Sequence, residues 1–261
     1  MAFIRPYKDS DFDACAHICI ATLPPTLASS PAAAKLSPYL VSSVRSNSLS
    51  LSLSNNHNLR GPRNIPRWTH PYTFLSPSTC HVLDDGTGKA VGYCIGCPDV
   101  HAFAADYERY ITNILSPAVA APAFDVREPW LVPVPEPVSA GDDDPTSTST
   151  STVNPLALAQ NAYRADWMLL ENKEAVTSRW RATMHIDLLP DWQGRGWGRM
   201  LIDRFVASVR ASGADYGEGE HIGVAGENAK VVPFYERVGF RVVEGGEREG
   251  NIWMVRDIEK V

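Results

Sequence analysis

The stretch 193–200, which reads QGRGWGRM, constrains this chain more than any other segment. Its three glycines alternate with large side chains, a composition typical of a backbone that turns tightly or closely approaches another group. The preceding run ATMHIDLL is typical of a buried strand. In the run that follows, Leu201, Phe205 and Val209 recur at helical spacing. The sequence therefore predicts a strand, a glycine turn and an amphipathic helix in succession.

A glycine turn that opens a helix is suited to anion binding, because free backbone N–H groups and the positive end of the helix dipole converge there. Two familiar nucleotide loops do not fit. A GxxxxGK[ST] loop is excluded because Arg199 and Met200 follow Gly198. A GxGxxG fingerprint is excluded because the glycines fall at Gly194, Gly196 and Gly198. The sequence thus predicts an anion site of another kind.

Local patterns predict the remaining elements. AFIRPY is typical of a first strand, and a helix is expected from Asp9 or Ser10 to about Thr22. CHVLDD and AVGYCIG, separated by a glycine-containing turn, indicate a hairpin. Helices are expected over 101–119 and most of 155–180, and a strand, a short helix and two strands end the chain. This order predicts an α/β (α+β) fold around one mixed sheet.

Two polar segments interrupt these patterns. Residues 42–66 form an irregular polar excursion, and residues 139–154 form a low-complexity segment rich in Ser and Thr, for which we expect a mobile loop. Because strong patterns continue on both sides of the second segment, we expect it to be inserted within one domain that spans 1–261.

Composition narrows the possible functions. The 261 residues carry a formal net charge of -6, which argues against a general nucleic-acid binder. With no signal-peptide pattern and no long apolar run, we expect an intracellular, cytoplasmic or nuclear protein that does not bind membranes. Cys94 and Cys97 have CxxC spacing but no second pair accompanies them, so we expect no metal site.

The pattern Gln193-x-x-Gly196-x-Gly198 resembles the Q/R-x-x-G-x-G/A loop of the GNAT superfamily of acyl-CoA-dependent N-acyltransferases. Asn228, followed by PFYERVGF, resembles a second segment of that family, and IRPYKDSDFDACAHIC resembles its first strand and helix. The resemblance implies a mixed, mostly antiparallel sheet that splays at the cofactor strand and is flanked by helices. The surplus length implies long insertions in the N-terminal half.

The resemblance also implies acetyl-CoA (coenzyme A) as acyl donor and a set of cofactor contacts. Backbone groups of Ile186 and Leu188 would pair with the pantetheine amides, and the Asn228 side chain would reach pantetheine or the neighbouring backbone. The pyrophosphate would lie on the loop formed by Gln193, Gly194, Arg195, Gly196, Trp197, Gly198 and Arg199.

For catalysis, the resemblance implies Tyr235 as the acid that protonates the departing thiolate, and an N–H of the splayed strand, at Leu188, as oxyanion donor. Several residues are candidates for the general base. We favour Asp187, a carboxylate in an otherwise apolar strand that needs a partner if it is buried. The other candidates, of which the first three are also possible substrate contacts, are Asp99, His101, His185, Glu220 and His221.

Two functions stay open. The first is an N-acetyltransferase that passes the acetyl group to a primary amine, of a small molecule, a protein lysine or an N-terminus, by direct attack in a ternary complex. The second is a catalytically silent acetyl-CoA-binding module that serves protein interaction. The run GY-x-x-G-x-x-DV over 92–100 resembles the acetyltransferase-like domain at the end of O-GlcNAcase, often called a pseudo-acetyltransferase. A histone acetyltransferase-like role rests on this analogy alone.

Overall fold

The computed structural model describes residues 1–23, 70–133, 151–248 and 250–260. The predicted excursion 42–66 lies outside these residues, and so does the predicted loop 139–154 as far as residue 150. The end of that loop differs from the expectation, because Ser151–Val153 forms a short strand.

In the described part of the chain, seven strands form the main sheet, in the order β1-β2-β3-β6-β7-β9-β8. All neighbours in this sheet run antiparallel except β6 and β7, which run parallel. The predicted mixed, mostly antiparallel sheet is confirmed. The strands are β1 (Phe3–Pro6), β2 (His81–Asp84), β3 (Ala90–Cys97), β6 (Ala182–Leu188), β7 (Gly219–Ala225), β8 (Arg241–Arg248) and β9 (Asn251–Asp257), and a separate pair consists of β4 (Leu131–Pro133) and β5 (Ser151–Val153).

Helices flank both faces of the main sheet. The helices of the described residues are α1 (Phe12–Ala21), α2 (His70–Leu75), α3 (Val100–Ala105), α4 (Tyr107–Tyr110), α5 (Ser116–Ala118), α6 (Pro155–Tyr163), α7 (Ala165–Leu169), α8 (Glu174–Thr177), α9 (Trp197–Ala211) and α10 (Val232–Arg237).

The single helix predicted over 101–119 is wrong, because a π-helical turn at Ile111–Leu115 follows α3 and α4. Tyr110 and Leu115 are both fully buried. In an α-helix, residues five apart point in different directions, whereas the wider i→i+5 turn brings them toward one face. Burial of both side chains therefore accounts for the wide turn.

The sheet separates two apolar clusters. Tyr93, Ile95 and Cys97 of β3 belong to an apolar cluster that packs against α1, α2 and the helices between residues 100 and 169. Cys94 points the other way and packs with Leu201 and the other buried residues of α9. This alternation is the period of a strand, so the two cysteines of the CxxC spacing lie on opposite faces.

The sheet opens at its centre. β6 and β7 pair only at Ala182 with Glu220 and at Thr183 with His221. On its other edge β6 stays paired with β3 as far as Leu188. Beyond Thr183 the two parallel strands therefore separate, which confirms the predicted splay at this strand.

A buried ion cluster fixes the N-terminal edge of the sheet. Arg5 on β1 contacts both oxygens of Asp11, which lies just before α1, at 2.6 and 2.7 Å. Its Nε donates to Asp84 at the end of β2 over 2.8 Å. The carboxylate side chains are 3% and 2% exposed, respectively. One guanidinium thus holds β1, the start of α1 and the β2–β3 hairpin together.

We expect Arg5→Ala to lower the free energy of unfolding by about 3 to 5 kcal/mol, because two buried carboxylates lose their cation. Urea unfolding at neutral pH measures this loss. The control is Arg109→Ala, which removes an exposed ion pair with Asp106 and should cost less than about 1 kcal/mol. Equal losses for the two variants would contradict the role given to Arg5.

Candidate functional site: the opening between β6 and β7

The edge of β6 that faces the opening presents backbone groups that are not paired with β7. The N–H of Leu189 donates to the carbonyl of Val91 over 3.0 Å, and the register with β3 runs without a shift back to Thr183. Because alternate residues of an antiparallel pair bond to the neighbouring strand, Ile186 and Leu188 direct their backbone groups the other way, into the opening. These are the two predicted pantetheine contacts.

The predicted glycine loop lies at the end of this edge. The side-chain amide of Gln193 donates to the Leu188 carbonyl over 2.8 Å, which ties the loop to β6. Gly194 and Gly196 have φ values of 69° and 84°, in the left-handed region that favours glycine. A Cβ added to either residue would meet no atom within 4 Å. The loop is thus open on the side where an anion would approach the N-terminus of α9.

The other loop residues differ in their surroundings. Arg195 is exposed, with its guanidinium 5.8 Å from the Trp192 ring centroid. Trp197 is half-buried against the α9 cluster. Arg199 donates to the carbonyl of Arg237 over 2.6 Å. Arg195 is therefore accessible to a phosphate, whereas Arg199 already holds the end of α10.

Helix α10 packs closely on the glycine loop, which places Tyr235 beside the opening. A Cβ on Gly198 would lie 3.0 Å from the Phe234 ring, so this glycine allows the close approach. The half-buried Tyr235 ring contacts Phe234 and Phe240, with centroids 5.2 and 5.5 Å away. Burial and the charge of Asp187 raise the Tyr235 pKa. The phenol therefore keeps its proton at neutral pH and can donate it.

Asn228 lies in the 3-10 turn Gly226–Val231, directly after β7. It is exposed, and its backbone departs from helical values with φ −103° and ψ 20°. The structure thus places this predicted cofactor contact at the end of β7 that has separated from β6.

Asp187 lies on the same strand segment but is engaged by side chains from two other elements. Tyr93 of β3 donates its hydroxyl to Oδ2 of Asp187 over 2.5 Å. The Thr22 hydroxyl, at the end of α1, lies close enough to lower the pKa of this carboxyl as well. Burial raises the pKa of the carboxyl to about 6, against the opposing effect of these two donors. Asp187 is therefore ionised at neutral pH yet regains a proton in mild acid.

Three histidines share the face of the sheet that carries Asp187. The ring centroid of His185 is 5.5 Å from that of Tyr72. The buried His221 has Nδ1 2.6 Å from the Trp180 carbonyl, and burial lowers its pKa to about 4, helped by the charges of Lys173, His101 and His185. Lys173 and the three histidines thus form one neighbourhood of neutral or cationic groups beside β6.

Two predicted substrate contacts have structural partners. The Asp99 carboxylate caps α3 by accepting from the N–H of His101 over 2.9 Å, and it pairs with Arg181 at 3.0 Å. His101 has Nε2 3.1 Å from the Thr177 carbonyl. Asp99 is 7% exposed, and its carboxylate is already engaged by the His101 N–H and the Arg181 guanidinium. It therefore lies outside the proposed site.

Glu220, another candidate base, lies at the start of β7 and is fully buried. Its Oε1 is 3.7 Å from Nη1 of Arg256, beyond hydrogen-bond distance. Burial raises its pKa to about 8, and Arg256 only partly offsets this. At neutral pH Glu220 holds its proton, so it is not a base there.

Sequence reasoning missed Tyr93 and Thr22, the two hydroxyl donors that hold Asp187. A tyrosine in a buried strand usually finds a partner for its hydroxyl, and a buried carboxylate needs donors. These signals indicate that Tyr93 and Asp187 each need a partner. Only the strand register, which pairs Tyr93 with Asp187, shows that they are partners of each other.

Part of the chain around this opening matches a known protein family. Residues 171–256 match the family described as acetyltransferase (GNAT) domain. The resemblance predicted from the glycine loop is thereby confirmed, for the part of the chain that holds β6 to β9. The match covers about a third of the chain.

A solved structure shares the fold. The chain is similar to SsHAT, with 24% identity, a TM-score of 0.65 and 99% of each chain covered. It also matches yncA from Salmonella typhimurium, a structure with its cofactor acetyl-CoA, at 13% identity and TM-score 0.43, covering 100% of this chain and 96% of the other. The ribosomal-protein-S18-alanine N-acetyltransferase from Escherichia coli matches at 13% identity and TM-score 0.40, with the same coverage.

No helix within the described residues has the length and apolar character needed to cross a membrane.

We expect Asp187→Asn to gain stability relative to the wild type as pH rises from 4 to 8, by about 2 kcal/mol. The reason is that the folded-state pKa of Asp187 is raised from 3.8 to about 6, so ionisation destabilises the native state as pH rises through 6. Urea unfolding of both proteins across this range measures the difference.

The control is Asp85→Asn. Bonds from the side chain and backbone of Thr87 lower the pKa of this exposed carboxyl, so its variant should lose stability relative to the wild type as pH rises. The same sign for both variants would show that Asp187 does not have a raised pKa.

Proposed function

We propose that this protein is an N-acetyltransferase that passes the acetyl group of acetyl-CoA to a primary amine by direct attack in a ternary complex. One observation carries the proposal. The edge of β6 at Ile186 and Leu188, which β7 leaves unpaired, ends at an open glycine loop, and Asp187 and Tyr235 lie on the two sides of the same strand segment. An extended ligand with an anionic end and a reactive end fits this arrangement.

The cofactor would lie along the opening between β6 and β7. Its pyrophosphate would accept from the N–H groups of the loop around Gly196, with Arg195 adding positive charge. Its pantetheine amides would pair with the backbone of Ile186, as an added strand would, while the N–H of Leu188 faces the same opening. Asn228 would meet the cofactor from the β7 side.

The amine would attack the thioester carbonyl carbon, and its proton would pass to the Asp187 carboxylate, directly or through a water molecule. The carbonyl oxygen becomes negative in the tetrahedral intermediate, and the Leu188 N–H would stabilise it. The C–S bond then breaks and re-forms the carbonyl. Tyr235 would donate its proton to the departing thiolate, which needs close placement because a phenol is the weaker acid.

The acceptor would approach from the face that carries Asp187, His185 and His221. On this face, burial keeps the His221 ring neutral at neutral pH, and Lys173 supplies a positive charge near it. Such surroundings suit an amine that arrives uncharged, since nucleophilic attack needs the free base. An acceptor screen by thiol release compares small amines, lysine side chains and protein N-termini as the source of this amine.

Gly196→Ala tests the cofactor site. A Cβ at this left-handed position occupies the space where the anion would approach, so we expect acetyl-CoA affinity to fall at least about tenfold by titration calorimetry. The control is Gly213→Ala, just beyond the other end of α9. Gly213 has φ 71° and equally open surroundings, so it carries the same backbone strain without lying near the loop. If the two variants bind alike, the loop does not hold the cofactor.

Tyr235→Phe tests the chemistry. With an amine acceptor found by thiol release, we expect kcat to fall by about 100-fold while the acetyl-CoA Kd stays unchanged, because the phenol acts only on the departing thiolate. The control is Tyr163→Phe. Tyr163 ends α6, and its hydroxyl donates to the carbonyl oxygen of Val119 over 2.5 Å. Unchanged turnover in Tyr235→Phe would remove this tyrosine from the mechanism.

The alternative of a silent binding module gives a different result. Acetyl-CoA would then bind to the wild type with the loop dependence described above. No amine, peptide or aminosugar would make acetyl-CoA release its thiol faster in the presence of the protein than in its absence.

A further inference from the structure

The geometry assigns Tyr93 the role of a positioning residue, whose buried hydroxyl holds the Asp187 carboxylate in the orientation and charge state that proton acceptance requires. This inference rests on the proposed function for its catalytic consequence. Its structural part, the control of Asp187 by Tyr93, is testable without any activity.

The two side chains face each other because of the strand register. Tyr93 and Asp187 are directly opposed in the antiparallel pair of β3 and β6, so they project from the same face. Tyr93 is 2% exposed, and its ring packs in the cluster under α1. The ring is therefore held by its neighbours, and its hydroxyl reaches Oδ2 of Asp187 over 2.5 Å.

The Tyr93 hydroxyl is the more dedicated of the two donors. Thr22 has one hydroxyl proton, and its oxygen also lies 2.9 Å from the Ile18 carbonyl and 3.1 Å from the Cys19 carbonyl. These carbonyls compete with Asp187 for that proton. The hydrogen bond from Tyr93 is shorter and needs no such sharing, so it should contribute most to stabilising the carboxylate.

The other titratable groups near Asp187 and Tyr93 do not stabilise the negative charge of Asp187. The Cys94 thiol of β3 and the Tyr235 phenol of α10 belong to the cluster on the other face of the sheet, and the Asp187 charge contributes to raising the pKa of both. From α1, Cys15 and Cys19 lie near Tyr93 and act on it in the same direction. Among the described residues, no Lys or Arg side chain contributes to the Asp187 pKa. The anion therefore depends on its two hydroxyl donors.

The test is Tyr93→Phe, which keeps the ring and removes the donor. We expect the Asp187 carboxyl carbon, followed by NMR in cofactor-free protein and assigned with Asp187→Asn, to titrate about one pH unit or more higher than in the wild type. An unchanged titration would overturn the inference.

The matched control is Tyr107→Phe. Tyr107 is also a buried tyrosine, 3% exposed, and its hydroxyl donates to the Ala162 carbonyl over 3.0 Å, away from Asp187. The Tyr107→Phe variant should be less stable than the wild type, while its Asp187 carboxyl should titrate at the same pH as in the wild type. An equal shift in this control would mean that the effect is general loosening of the core, and would also overturn the inference.

Kinetics separate this inference from the proposed function. If Asp187 is the base, the acid limb of kcat/KM for Tyr93→Phe moves up by the same amount as the NMR titration, and raising the pH restores the rate. An NMR shift without a matching kinetic shift supports the control of Asp187 by Tyr93 and rejects Asp187 as the base.

A second substitution keeps the test decisive if Tyr93→Phe does not fold. Replacing Tyr93 with 3-fluorotyrosine preserves the shape and makes the phenol a stronger donor, so the Asp187 titration should move down. A titration that stays in place would contradict the assignment.

Discussion

The separation of β6 from β7 after two paired residues is the constraint on which the rest of this structure depends. A central strand in a closed sheet has no free backbone groups, because both neighbours use them. Here β6 keeps β3 on one edge and loses β7 on the other after Thr183. The edge at Ile186 and Leu188 is therefore a polar surface in the middle of the domain that a ligand can complete.

Every other part of the site is arranged around that edge. Gln193 ties the glycine loop to the carbonyl of Leu188, and Arg199 ties α9 to the end of α10. Through α10, Tyr235 comes within range of the Asp187 charge. Stable edges of the sheet, among them the one clamped by Arg5, allow its centre to remain open without loss of the fold.

The parts of the site that sequence alone predicted are those encoded by local patterns. The glycine loop, the strand before it and the segment around Tyr235 each follow from residues close together in the chain. The Tyr93–Asp187 contact joins residues 94 positions apart and depends on strand register, which composition and spacing do not specify. Asp99 is the opposite case, because its apparent availability disappears once Arg181 from a distant segment pairs with it.

The measurement that tests the central claim most directly is amide hydrogen exchange along β6, with and without acetyl-CoA. The account predicts that the N–H groups of Ile186 and Leu188 become protected when the cofactor binds. Those of His185 and Asp187, which already bond to β3 by the strand register, should change little. Equal protection of all four residues, or no change at Ile186 and Leu188, would contradict the claim that the cofactor completes this edge.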